Sequence, residues 1–396
     1  MVGSGIDLAE HTARTARADM APPSPAPATR GGRGAGEFRE TPQGPGPALA
    51  VGHRRAVVFA LLLAGVLSAV VLGVTLGPVP VPPGETLRVL LGGQAEDPRM
   101  QVIIESLRLP RVLTAVAAGA ALGVAGLQMQ TLFRNSLAEP YVLGVSSGAS
   151  LGVALVVIVG AGAGAGFTAG LAGQGRIGVV IAAALGSAIV LSLVLMLSRW
   201  VRSSATLLLI GVMVGSASTA FVSVLLAYSD PELVQQYLVW GMGSFAATSW
   251  SDLRLFLPII AAALLLSVTT IRALNALLLG EGYARTMGID VRRARFLTLV
   301  SASVAAGVTT AFCGPIAFIG LAVPHLARVA FGTSDHRVLL PGVVLLGASV
   351  AVVCGIVSQV PGSDAILPVN AVTAAVGAPV VITVLLRSRR GSGIER

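Results

Sequence analysis

The feature that most constrains this chain is a series of nine stretches, each at least 17 residues long, that contain no charged side chain. A helix of about 20 apolar residues spans a hydrocarbon core roughly 30 Å thick. Within lipid every backbone N–H and C=O must be bonded inside the protein, so long apolar stretches predict helices rather than the alternating strands of a barrel. The sequence therefore predicts an all-α polytopic membrane protein. The uncharged stretches are residues 56–84, 112–133, 140–175, 177–198, 203–229, 255–271, 296–327, 338–363 and 365–386.

Charge determines how many spans these stretches contain. Arginines directly precede the first stretch and follow the last, and basic segments remain on the cytoplasmic side of a membrane. Nine spans would put the two ends on opposite sides, so one stretch must hold two spans. Splitting 140–175 would place the basic loop 272–295 outside, whereas splitting 296–327 at Gly314-Pro315 keeps that loop inside. We therefore expect ten transmembrane helices with both termini in the cytoplasm.

The composition divides the chain into two parts. Residues 1–50 are rich in Pro, Gly, Ala and Arg and lack apolar periodicity, which predicts a disordered tail. The transmembrane domain is expected over residues 51–390. The net charge of +9 is explained by arginines on the cytoplasmic side, so we predict no nucleic-acid partner.

Small residues recur at spacings that bring helices together. The glycine pairs at Gly119–Gly123 and Gly211–Gly215 allow close helix contact, which predicts ordinary packing and no functional site. The sequence AAG occurs at 117–119 and again at 305–307. In both places a further glycine, Gly126 or Gly314, lies seven residues after the glycine of AAG. In the ten-helix topology these two helices run in opposite directions, which is the pattern of an inverted repeat.

The residues needed for catalysis are largely missing from the sequence. All 27 basic residues are arginine, so a phosphate-binding G-x-x-x-x-G-K-[ST] loop cannot form and ATP hydrolysis would need another chain. Cys313 and Cys354 lie in apolar stretches and are expected to be buried hydrophobic residues. His325 alone is expected to bond a helix end rather than a metal. We predict no catalytic residue, no metal and no cofactor, and the scarcity of membrane carboxylates argues against an ion-coupled transporter.

Two charged segments do not look like plain loops. The loop 272–295 combines five arginines, Glu281 and Asp290 with an apolar stripe, and glycines divide it into short helical pieces. Solvated linkers seldom carry such a stripe, so the composition favours a docking surface for a cytoplasmic partner over a plain loop. Arg108 and Arg111 lie at an extracytoplasmic helix start, where cations oppose both the helix dipole and the positive-inside bias. Either carboxylates of another protein or lipid phosphates would account for them.

Four blocks of the sequence, in order, resemble the FecCD-type permeases, the membrane subunits of ABC importers for iron-siderophore complexes, haem and cobalamin. The opening block of that family resembles residues 108–150, RLPRVLTAVAAGAALGVAGLQMQTLFRNSLAEPYVLGVSSGAS. Its cytoplasmic coupling loop is similar to residues 280–295, GEGYARTMGIDVRRAR. Residues 314–342 and 377–386 resemble its most recognisable block and its final helix, so the resemblance covers about residues 54–388.

The resemblance implies ten helices, a homodimer or a heterodimer with a sister permease, and a bacterial cytoplasmic (inner) membrane location. It also implies two cytoplasmic ATPase subunits, an extracytoplasmic substrate-binding protein and an iron-chelate substrate. Arg108 and Arg111 would meet glutamates of the binding protein. The residues implied for the cytoplasmic gate are Ser203, Ser204, Ala205 and Thr206. The residues implied for ATPase coupling are Gly280, Glu281, Tyr283, Ala284, Arg285, Met287 and Gly288.

The chain departs from the family pattern at several positions. Ser136 stands where the family usually has Pro, and Gly355 and Gln359 replace an Asp and an Arg. The usual Glu-x-Pro-x-Gly that follows is altered at Ile366 and Asn370. These changes remove a third docking arginine, which implies either a different binding protein or a sister chain that carries the missing residues.

We expect the transmembrane subunit of an ATP-driven importer of an iron-siderophore or similar metal chelate. Haem or cobalamin import is the alternative within the same class. A secondary transporter, which would need no ATPase, and a structural or signalling subunit, which would transport nothing, are the alternatives outside it.

Overall fold

A computed structural model describes residues 47–162, 174–198, 200–201, 204–360 and 366–391. Contacts divide the chain into Met1–Ala50 and Val51–Arg396. Of the first unit only residues 47–50 are described, as the beginning of a helix, so the predicted tail lies almost wholly outside the described residues.

All regular secondary structure among the described residues is helical, with no strand among them. A π-helical turn, Ile103–Arg108, and a 3₁₀ turn, Pro140–Leu143, precede the fourth and fifth α-helices. In chain order the α-helices are α1 (Pro47–Thr75), α2 (Pro83–Leu90), α3 (Pro98–Val102), α4 (Leu109–Leu132), α5 (Val145–Gly162), α6 (Gln174–Ser198), α7 (Ser204–Ala227), α8 (Pro231–Gly241), α9 (Trp250–Thr269), α10 (Ile271–Leu278), α11 (Glu281–Thr286), α12 (Val291–Cys313), α13 (Ile319–Phe331), α14 (His336–Ser358) and α15 (Val369–Gly391).

Seven segments in the described part of the chain are long and apolar enough to cross a membrane, which agrees with a polytopic membrane protein. They are Gly52–Thr75, Pro98–Leu132, Ile177–Leu197, Thr206–Ala227, Trp250–Thr269, Val291–Cys313 and His336–Ser358. Three shorter apolar helical segments accompany them, Val145–Ile158, Ile319–Phe331 and Val369–Thr383.

Helix α4 lies at the centre of the bundle. In the most apolar part of the segment Pro98–Leu132, which contains α4, 89% of the residues are buried, against 17% in the segment Gly52–Thr75 of α1. Helix α4 packs against α9, α12, α13 and α14. Its glycines permit this, because a Cβ on Gly119 would lie 2.2 Å from the carbonyl oxygen of Gly347 in α14. Gly211 in α7 also lies against backbone, because a Cβ there would be 2.7 Å from the carbonyl oxygen of Val142. Both glycine pairs identified in the sequence therefore contribute to helix packing.

The chain breaks between α12 and α13, within the stretch that was predicted to hold two spans. Gly314 ends α12 with φ +73°, which favours glycine, and α13 begins five residues later. Three side chains from other elements accept hydrogen bonds from consecutive N–H groups of this connector. The acceptors are Tyr141 Oη for Ile316, Asn370 Oδ1 for Ala317 and Glu139 Oε1 for Phe318, at 3.2, 3.1 and 3.2 Å.

These contacts explain how irregular backbone is tolerated inside an apolar bundle, since each N–H that a helix would have bonded finds a side-chain acceptor. Burial raises the pKa of Glu139 above its ordinary value. Asn370, one of the departures from the family pattern, therefore stabilises the connector in this chain.

Candidate functional site

The predicted coupling loop folds into two short helices, α10 and α11, that precede α12. Gly280 and Gly288 flank α11 with φ values of +108° and +76°, a backbone region that side chains with a Cβ rarely adopt. At its C-terminus the N–H of Ile289 bonds the carbonyl of Ala284, and the N–H of Gly288 bonds that of Arg285. This is a Schellman arrangement, which requires a left-handed residue at Gly288.

The coupling segment, residues 271–290, buries the apolar side chains that anchor it and exposes others, mainly around α11. Leu279, Tyr283 and Met287 are 63, 55 and 57% exposed, whereas Ala284 is fully buried and holds α11 against the body of the protein. Large exposed apolar groups beside charged residues are typical of a surface that binds another protein. Among the residues implied for ATPase coupling, Tyr283, Arg285, Met287 and Gly288 lie on this exposed surface.

A partly buried polar cluster ties α10 to α4 and α14. Asn275 donates through Nδ2 to Asp335 at 2.6 Å, and its Oδ1 accepts from the backbone N–H of His336. The same oxygen lies 2.7 Å from His336 Nδ1, which must therefore carry a proton, since an amide oxygen can only accept. His336 Nε2 lies 2.8 Å from the hydroxyl of Thr131 in α4. The N–H of Arg337 holds the pKa of Asp335 below its ordinary value.

Arg295, near the start of α12, joins α11 to a different part of the chain. Its Nη2 donates to Glu281 Oε1 at 2.7 Å, and its Nη1 donates to the carbonyl of Val201 at 3.3 Å. Val201 lies between α6 and α7, beside the implied gate residues. Glu281, implied as an ATPase contact, thus faces Arg295 and also lies 3.6 Å from Arg285. Arg295 belongs to the predicted coupling loop, but its contact with Val201 could not be read from the sequence, because the two residues are 94 positions apart.

The implied gate residues lie at the start of α7. Ser203 is outside the described residues. Ser204 and Ala205 form the first turn of α7, and Thr206 is exposed there.

The two outer arginines occupy different environments. Arg108 is buried, and its guanidinium donates to the carbonyls of Val74 and Thr75 at 2.8 and 2.7 Å, and also to that of Val79. These are carbonyls at and just beyond the C-terminus of α1, where a cation is favoured by the helix dipole. An outside partner would have to displace Arg108 from these carbonyls, so its position differs from the predicted surface contact.

Arg111 is less buried than Arg108, and part of its side chain is accessible. Its Nε is buried without a hydrogen-bond partner among the described residues, and the side chain lines a small cavity. Phe245, Gly355 and Gln359 also line this cavity, and Gln359 Nε2 donates to the carbonyl of Gly355. Two of the departures from the family pattern therefore lie beside Arg111.

No group of three or more His, Cys, Asp or Glu side chains that could hold a metal occurs in the described part of the chain. Cys313 and Cys354 are both buried, as the sequence predicted.

Comparison with known proteins gives one consistent result. A profile of the FecCD transport family matches residues 61–387. An uncharacterised ABC transporter permease protein, YvrB of Bacillus subtilis (strain 168), is 36% identical over 333 residues, covering 82% of this chain and 91% of YvrB. The vitamin B12 import system permease protein BtuC of Klebsiella pneumoniae (strain ATCC 700721 / MGH 78578) is 37% identical over 309 residues, covering 78% of this chain and 87% of BtuC.

A solved structure agrees with these sequence relatives. It shows an inward-facing conformation of a protein described as a metal-chelate type ABC transporter, with a TM-score of 0.72 and 29% identity. The match covers 84% of this chain and 99% of that chain.

Proposed function

Because the chain belongs to the FecCD transport family, we propose that it is the transmembrane subunit of an ATP-driven importer of a bulky metal chelate. The observation that carries the proposal is the exposed apolar surface of the coupling segment, on the side that charge assigns to the cytoplasm. Two ATPase subunits on separate chains would bind there, since this chain lacks the lysine of a phosphate-binding loop.

The topology proposed is ten spans, with both termini in the cytoplasm of a bacterium and the protein in its inner membrane. The seven long and three short apolar helices support this number. The break between α12 and α13 supports assigning two spans to residues 296–327, because α13 has only 13 residues and begins inside the bundle. We also propose that α4 and α12 are equivalent members of an inverted repeat.

The pathway would form between two permease chains, either identical or sister. Helix α7 supports this arrangement, because its exposed face carries hydroxyl and small side chains among its apolar ones. Ser216, Thr219, Ala220 and Ser223 recur on that face at helical spacing. Thr219 and Ser223 each donate to a carbonyl four residues earlier in α7, at 3.0 Å, and a hydrated pathway between chains can solvate their remaining lone pairs.

On the outer side, the substrate-binding protein would contact Arg111 directly and Arg108 after displacement from α1. On the cytoplasmic side, residues 203–206 would form the gate. The iron-siderophore complex is the first candidate substrate. Cobalamin is the second, and the observation that favours it is the 37% identity to vitamin B12 permeases.

Reconstitution with candidate partners tests the proposal. The chain would be co-expressed with a candidate ATPase and placed in proteoliposomes with either a ferric-siderophore binding protein or a cobalamin binding protein. We expect the ATPase to co-purify and one labelled chelate to enter with ATP and not with ADP. Entry driven by a proton or sodium gradient alone would support a secondary transporter instead, and a stable complex that moves no chelate would contradict transport of either ligand.

A further inference from the structure

Helix α2, in the segment between α1 and α4, buries one face and exposes apolar side chains on another. Thr86 and Val89 are buried, and α2 packs on the π-helical turn Ile103–Arg108. Leu87 lies on a different face and is 47% exposed. Leu91, whose N–H bonds the carbonyl of Leu87, lies one turn further along the same face and is 85% exposed.

The third face of α2 carries charges that bond one another. Arg88 Nη1 lies 3.2 Å from Glu85 and 2.9 Å from Glu96, and the N–H of Glu96 donates to Glu85 at 2.9 Å. The side chains of Arg88 and Glu96 are 48 and 78% exposed, so water reaches these ion pairs. A helix with a protein face, an apolar face and a charged face suits the boundary between lipid and water, where all three surroundings meet.

The position of α2 in the chain places it at this boundary. The 24 residues Gly52–Thr75 of α1 span about 36 Å as a helix, more than the hydrocarbon core of roughly 30 Å. The end of α1 therefore reaches the headgroup region, and α2 begins soon afterwards at Pro83. Trp250 indicates the same level, because its indole N–H donates to Glu105 in the π-helical turn at 2.8 Å. Partly exposed tryptophans are typical of membrane interfaces.

The apolar face of α2 continues, along the chain, an apolar surface that begins on α1. Leu72, Leu76 and Val79, at the end of α1 and just beyond it, are 49, 38 and 44% exposed. The α1 segment also has the smallest buried share among the seven long apolar segments in the described residues, so lipid is its main neighbour. The charges of α2 are already bonded to one another, which leaves its apolar face as the surface suited to binding.

We propose that α2 is an interfacial helix whose Leu87 and Leu91 enter the acyl region of the outer leaflet. The partner of this face is membrane lipid rather than the substrate-binding protein. The anchored helix also holds the connector after α1, in which the carbonyl of Val79 accepts from Arg108. The inference rests on the topology given with the proposed function, which puts residues 78–111 outside, and does not depend on transport.

The test measures how deeply spin labels lie in the membrane. Single cysteines replace Leu87, Leu91, Gln94 or Leu67 in the full chain, which is placed in proteoliposomes without partners. Collisions with oxygen, which concentrates in hydrocarbon, are compared with collisions with a nickel chelate, which stays in water. Gln94 is the matched control, since it is exposed in the same segment, and Leu67 is 59% exposed in the middle of α1.

We expect the ratio of oxygen to nickel collisions at Leu87 and Leu91 to exceed that at Gln94 and to stay below that at Leu67. The unsubstituted chain should take up no label, because Cys313 and Cys354 are buried. Ratios at Leu87 and Leu91 equal to that at Gln94 would overturn the proposal.

Two further measurements separate this proposal from its alternatives. Addition of a candidate binding protein should leave both leucine-site labels unchanged. Labels that lose collisions with both reagents on its addition would overturn the proposal in favour of a protein-docking surface. The Gln94→Cys chain should react with an impermeant maleimide in intact spheroplasts. Reaction only after lysis would show that the proposed topology is wrong, whereas a failed depth measurement would leave the topology and the import function standing.

Discussion

At the scale of single residues, Gly288 and Gly282 lie on the same exposed segment but differ in backbone conformation. A Cβ would meet nothing within 4 Å at either position, yet only Gly288 has a positive φ. Alanine at Gly288 would therefore be unfavourable because of its backbone conformation and not because of a steric clash.

We predict that Gly288→Ala distorts the end of α11 at a cost of about 1–2 kcal/mol. That cost corresponds to about a 5–30-fold loss of affinity for the ATPase subunit. The matched change Gly282→Ala lies inside a helix and should be neutral or stabilise α11 by up to about 1 kcal/mol. Co-purification titrations of both variants with the ATPase check the pair, and equal affinities would refute the conformational role of Gly288.

Glu139 provides a prediction about pH. Burial raises its pKa in the folded protein, so the folded state holds its proton more tightly than the unfolded state does. Stability from this group is therefore present below its unfolded pKa and declines as pH rises toward the folded pKa.

Glu139→Gln keeps an oxygen for the N–H of Phe318 and removes the charge. We expect the variant to melt at a higher temperature than the wild type at pH 8 and to lose this advantage near pH 4. Thermal unfolding in detergent at the two pH values measures the difference. A wild-type advantage that grows with pH would show that the carboxylate is favourable in its ionised form.

At the scale of elements, the packing of α4 depends on backbone contact that only glycine allows. A Cβ on Gly119 would overlap the carbonyl of Gly347 and the Cβ of Ala351, at 2.2 and 2.5 Å. Relief requires α4 and α14 to separate, because neither obstacle is the end of a flexible side chain.

We predict that Gly119→Ala destabilises the folded chain by about 1–3 kcal/mol or more through overpacking. Gly178 in α6 is the matched control, since a Cβ there would meet nothing within 4 Å. Gly178→Ala should leave the melting temperature in detergent unchanged or slightly raised. Similar melting temperatures for the two variants would mean that α4 and α14 are less closely packed than described.

The helices were predictable from the sequence because their cause is local. Uncharged stretches predict apolar helices, and Gly314-Pro315 predicts the break within 296–327. The contacts of Arg108 with α1 and of Arg295 with Val201 were not predictable, because they join segments 29–34 and 94 residues apart. The helix dipole and the positive-inside bias both concern Arg108 within its own helix. The carbonyls that Arg108 bonds belong to α1, and the sequence does not show that α1 lies beside it.

At the scale of the whole molecule, the chain has two surfaces suited to partners and a bundle between them with few charged groups. The coupling segment exposes its apolar groups on one side, and Arg111 faces a small cavity near the other. We therefore expect its energy to come from a bound ATPase rather than from titration of buried carboxylates.

The most direct test of this account measures chelate uptake and ATP hydrolysis in the same proteoliposomes, which contain this chain, its ATPase and its binding protein. We predict that uptake requires ATP, stops when ADP replaces it, persists without an ion gradient and is lost with Gly288→Trp in the coupling segment. Uptake that continues without ATP and follows a proton or sodium gradient would contradict the account.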